Sequence, residues 1–205
     1  MRVLIAIALL TTLSASSACA GTPKDDLLDA AAYCDLAGVE AALSAKADVN
    51  ARSDSDVTPL MEASFHGCAE VAETLIAAKA DVNASHADGA NPGLNGETAL
   101  MLASNSRGRP EIVKALIAAG ANVNARTANG ETALTNAARY GQLDAAEALV
   151  AAGADVNARE ADGKTPLAEA TFRGNATTSG SFGTIKAHVA VADFLRRRGA
   201  HADSP

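Results

Sequence analysis

Apolar residues fall in short bursts at helical spacing along most of the chain, each burst closed by a glycine or a polar turn. Thr58-Pro59-Leu60, Thr98-Ala99-Leu100, Thr132-Ala133-Leu134 and Thr165-Pro166-Leu167 each supply a capping hydroxyl, a first-turn residue and a core contact. A short Ala-rich helix is predicted after each, broken at Gly67, Gly108, Gly141 or Gly174. A second helix then carries the apolar pairs Leu75-Ile76, Leu116-Ile117 and Leu149-Val150 and stops at Lys79, Gly120 or Gly153.

The bursts are periodic. Ala47-Asp48-Val49-Asn50-Ala51 recurs from Ala80, Ala121 and Ala154, with a degenerate copy at Gly199-Ala200-His201-Ala202-Asp203. The starting residues 47, 80, 121, 154 and 200 differ by 33, 41, 33 and 46. Each unit is thus a turn plus two antiparallel helices, and neither helix can bury its apolar stripe within its own unit. The units must stack, which makes the chain an all-α solenoid.

Composition narrows the core and the partners. Of 205 residues 48% are apolar but only 3% aromatic, so Ala, Leu, Val and Ile must form thin, closely packed helices. A formal net charge of −7 excludes a nucleic-acid or anionic-membrane partner held by a basic face.

The N-terminus follows a different pattern. Met1-Arg2 precedes a Val3–Leu13 run too short to cross a ~30 Å hydrocarbon layer, and small residues follow through Ala18-Cys19-Ala20. Residues 1–20 are expected to be a secretory signal peptide cleaved before Gly21, placing the protein in the periplasm or outside the cell. The same stretch reads alternatively as a lipobox with Cys19 lipidated and the protein anchored to the envelope, although Ser16 stands where such motifs carry Leu. No membrane-spanning helix is expected in the mature chain, which without Arg2 carries 16 basic and 24 acidic side chains.

With its recurring Thr-Pro-Leu and Ala-Asp-Val-Asn-Ala anchors, Gly67 and Leu75-Ile76, the chain resembles the ankyrin repeat family over residues 24–201. The resemblance implies a stack of about five repeats with short β-turn fingers, at 24–52, 53–85, 86–126, 127–159 and 160–201. Met61, Met101, Thr135 and Ala168 stand where the family favours a His bonded to the Thr hydroxyl. In the first repeat Asp25-Asp26-Leu27 replaces Thr-Pro-Leu, and Arg196-Arg197-Arg198 gives the last a solvated terminal face, as end caps require. Two insertions break the period, in the turn 86–97 and between the last two helices at 174–187. Both read either as drifting surface loops or as recognition loops on a rigid scaffold.

Four of only six aromatics lie near the end of a first helix, at Tyr33, Phe65, Tyr140 and Phe172, with His66, Arg139 and Arg173 beside them. In ankyrin-like stacks that end lines the concave face. These slots are expected to bind a protein partner, the competing reading being core packing. Cys34 and Cys68 sit at neighbouring inter-helix turns and can be either disulfide-bonded or two buried thiols. Among the four histidines there is no HExxH or paired metal spacing, and no GxSxG or P-loop occurs. A non-catalytic scaffold of the cell envelope, monomeric and without cofactor, is therefore expected, possible roles being inhibitor, immunity factor or stress protection. An enzyme or metal site around His66, His86 and nearby carboxylates is the contrasting reading.

Overall fold

Each Thr of the repeating anchor does what its position predicts. The Oγ1 atoms of Thr58, Thr98, Thr132 and Thr165 accept the backbone N–H three residues on, at 3.3, 3.4, 3.2 and 3.3 Å, and so start helices. No His is needed to close the cap. The Thr132 N–H donates to Thr135 Oγ1 at 2.7 Å, and the Thr58 N–H donates to Met61 Sδ at 3.5 Å.

The structure, a computed structural model, describes residues 23–87, 96–105, 109–174 and 182–201. The signal segment, Cys19 and Gly21 lie outside the described residues, as do 88–95 of the first insertion, 106–108 with the predicted break at Gly108, and 175–181 of the second insertion. Five helix pairs follow one another among the described residues: α1 (Pro23–Ala32) and α2 (Leu36–Ser44), α3 (Pro59–His66) and α4 (Ala69–Ala77), α5 (Ala99–Ala103) and α6 (Pro110–Ala118), α7 (Ala133–Tyr140) and α8 (Leu143–Ala151), α9 (Pro166–Gly174) and α10 (Phe182–Arg197). One finger is a two-stranded antiparallel hairpin, β1 (Ser85–His86) with β2 (Glu97–Thr98), in which His86 faces Glu97.

The pairs stack in two rows. First helices pack α1 on α3, α3 on α5, α5 on α7 and α7 on α9, and second helices pack α2 on α4, α4 on α6, α6 on α8 and α8 on α10. The chain is an all-α solenoid. Leu27, Leu60, Leu100, Leu134 and Leu167 fill the inner row, with Ala63, Ala103, Ala137 and Ala170 letting the helices approach closely. Leu75, Leu116, Leu149 and Leu195 do the same for the outer row. Among the described residues no helix is long and apolar enough to cross a membrane.

At the turns, Gly67 and Gly141 are left-handed, with φ of 75° and 69°, and Cys34 adopts the same conformation at 58°. That sharp turn brings Cys34 toward Cys68, and the two form a disulfide with Cα atoms 5.1 Å apart. The second insertion departs from a plain loop. Its residues 182–187 extend the start of α10, which has 16 residues against 9 in α8.

Candidate partner-binding face

Two sets of positions line one side of the stack. From the fingers come the residue before each capping Thr (Val57, Glu97, Glu131, Lys164) and the one opening each finger (Ser53, His86, Thr127, Glu160). From the first helices come the positions four and seven beyond the Thr: Glu62 and Phe65 in α3, Leu102 and Asn105 at α5, Asn136 and Arg139 in α7, Glu169 and Phe172 in α9.

Aromatics on this side are solvent-facing. Tyr33 is 82% exposed, Phe172 68%, Tyr140 42% and Phe65 41%. His66 stacks edge-on against Phe65 at 5.1 Å and reaches Glu62 at 3.6 Å. Arg173 belongs to α9, with its side chain outside the described residues.

Arg139 occupies a different setting from the aromatics. Its guanidinium is largely buried and meets Glu131 at 2.6 Å, Glu160 at 2.9 Å and Glu169 at 3.5 Å. Burial alone would lower its pKa, but the hydrogen bond and charge of Glu131, with Glu160 and Glu169, raise it instead. From within α10, His188 Nε2 hydrogen-bonds the Arg139 carbonyl at 2.8 Å, fixing the backbone beneath. Three carboxylates around one guanidinium leave excess negative charge. Glu160 is accordingly pushed up to about 7, by burial first and then by Glu169, Glu131 and Asp162, with Arg139 acting in the opposite sense. Lys164 bridges Asp162 at 2.6 Å and Glu169 at 3.6 Å, a pairing that holds Asp162 below its usual range.

Between the first two fingers and the helices lies a cavity of about 240 Å³ lined by Val57, Met61, Glu62, Phe65, His66, His86, Glu97 and Leu102. Burial raises the Glu97 pKa, His86 opposes this, and Glu131 adds to it. His86 Nδ1 is buried without a hydrogen-bond partner. The cavity thus brings His66 and His86 together with two carboxylates. Even so, no group of three or more His, Cys, Asp or Glu positioned to hold a metal ion occurs among the described residues.

Sequence reasoning singled out the aromatic slots and did not single out Glu97, Glu160 and Glu169 as an acidic row. Their signal was the repeat register itself: all three fall in slots that recur from unit to unit, two on fingers and one on a first helix.

A family model described as "Ankyrin repeats (3 copies)" matches residues 81–160 and 100–178, and one described as "Ankyrin repeat" matches residues 55–87. No curated protein matches the chain. Together with the stacked helix pairs and capped fingers, these matches show that the chain belongs to the ankyrin repeat family.

Proposed function

We propose that the protein is a non-catalytic scaffold of the bacterial cell envelope, docking one partner protein through the face built by its fingers and first helices. Ankyrin repeats are protein-interaction modules, and the observation carrying the reading here is the exposure of Phe65 and Tyr140 at the same end of the first helices α3 and α7. Exposed rings over a polar, acidic surround supply the anchors and rim of an interface. Tyr33, Phe65, His66, Tyr140, Phe172 and Arg173 are the contact candidates, and Arg139 holds the surface between them. An inhibitor, an immunity factor or a protector of a stress-exposed enzyme fits such a surface.

Affinity and melting temperature measured together on variants test this. Tyr140→Ala and Phe65→Ala should each weaken partner binding by ~1–3 kcal/mol with little loss of stability, because both rings face solvent. Arg196→Ala, on the terminal face, should leave binding unchanged. Unfolding by the two aromatic variants, with affinity retained per folded molecule, would show the rings to be packing residues. The envelope assignment rests on the Val3–Leu13 run and Ala18-Cys19-Ala20. Intact mass of the protein from its host should show Gly21 or a lipidated Cys19 at the N-terminus; retained Met1 on soluble protein would refute it.

A further inference from the structure

We infer that the cavity between the first two fingers is a socket for one long basic side chain, Lys or Arg, of the partner protein. The inference rests on the docking reading above and adds what the partner must present.

Size sets the first limit. At about 240 Å³ the cavity is smaller than the roughly 300–1,000 Å³ of sites for drug-sized ligands, and suits one side chain. Its walls set the second. Val57, Met61, Phe65 and Leu102 offer apolar surface to an aliphatic stem.

Charge sets the third limit. Glu62 already faces His66 at 3.6 Å, whereas among the described residues the Glu97 carboxylate has no ion pair or hydrogen bond. Its titratable neighbours are His86, across the hairpin, and Glu131, which repels it. An arriving ammonium or guanidinium supplies the missing countercharge. The unpartnered Nδ1 of a neutral His86, its proton on Nε2, supplies a second contact as acceptor for an N–H of that group. An anionic group would meet Glu62 and Glu97, and a purely apolar one would leave Glu97 and His86 Nδ1 buried without partners. Neighbouring Glu131, Glu160 and Glu169 extend the negative potential beyond the cavity. A basic partner segment fits that whole row.

The protein carries a built-in reporter. Of its three methionines, Met61 lines the cavity and Met101 is buried in the adjacent helix. With methyl-labelled methionine and the disulfide intact, the capped peptides Gly-Arg-Gly and Gly-Lys-Gly should shift the Met61 signal saturably and leave Met101 nearly still. Peptides carrying citrulline or norleucine, matched in shape but uncharged, should do so at least about tenfold more weakly. Glu97→Gln should abolish the difference between arginine and citrulline peptides, and Glu62→Gln should reduce it. Glu73→Gln, on the exposed side of α4, should not change it. Equal responses to charged and uncharged peptides, a Glu97→Gln variant that still prefers arginine, or a folded protein whose Met61 signal never moves would each overturn the socket. Partner affinity of the aromatic variants is read on separate samples. Peptide binding with partner affinity indifferent to Phe65 and Tyr140 would sink the docking reading and leave the socket standing.

Discussion

Asn50, Asn83, Asn124 and Asn157 explain why the Ala-Asp-Val-Asn-Ala anchor recurs so faithfully. Each Oδ1 accepts a backbone N–H from the next unit: Asp81 at 2.7 Å, Asn122 at 2.8 Å, Asp155 at 2.8 Å and His201 at 2.9 Å. Asn83 and Asn124 also donate through Nδ2 to the carbonyls of Gly120 and Gly153, at 3.2 and 3.1 Å. One residue type therefore satisfies both donor and acceptor of a neighbouring turn, which neither Asp nor Ser can do with a single planar group. Glu160 gives the residue scale its prediction. An unfolded Glu titrates near 4.5, while in the fold this carboxyl holds its proton up to about 7. Between those values the folded state binds a proton that the unfolded chain has released, so stability falls as pH rises through the window. Glu97, raised in the same direction, contributes with the same sign. Asp162 titrates below the window and leaves it unaffected. Urea midpoints should therefore drop from about pH 5 to about pH 8 and level off above it, and Glu160→Gln should flatten much of the slope. A midpoint that rises with pH would show that Arg139 dominates over burial at Glu160.

At the scale of elements, local chemistry was legible wherever it repeats. The capping Thr residues and the helix-breaking Gly67 and Gly141 each predict an observed boundary, because each acts within a few residues of itself. The disulfide was left open in the sequence because unit spacing alone exceeds the reach of two sulfurs. In the structure Cys34 holds the left-handed turn position that Gly67 holds in the next unit, and Cys68, one residue past it, comes within 5.1 Å between Cα atoms. The start of α10 was not foreseen either. Ser/Thr/Gly-rich sequence signals a loop, yet residues 182–187 are helical and lead into buried His188, whose bond to the Arg139 carbonyl couples α10 to α7. Tertiary contact there overrides propensity. A cross-link between the first two inter-helix turns should stabilise by ~2–4 kcal/mol. Urea unfolding with and without reductant measures this, and alkylation of unreduced, denatured protein should leave Cys34 and Cys68 unmodified. Modified cysteines at both positions would count against the bond.

For the whole molecule, the helices of each unit pack chiefly on those of its neighbours among the described residues, so stability is a sum of unit and interface contributions rather than one central core. The fingers are tied in the same nearest-neighbour manner. Arg52 donates to the Ser85 carbonyl at 3.1 Å while holding Asp56 at 2.8 Å, and Arg126 reaches the Arg159 carbonyl. The acidic row was hidden from sequence reading for this reason: its members, counted with Glu131, come from three different units and become neighbours only through stacking, as Arg139 and Glu160, 21 residues apart, do. The cross-link between the first two turns also has a mechanical side. It closes a loop of 34 residues, which fully extended would span about 110–120 Å. A pull applied at the two ends of the chain cannot draw out that length while the bond holds. Tension would then pass from Cys34 through Cys68 into α4 and bypass both α2 and α3, so the segment between the sulfurs can come apart without lengthening the tether. Reduction turns the same segment into slack, lengthening the stretched molecule by about that distance less the folded spacing of the two turns.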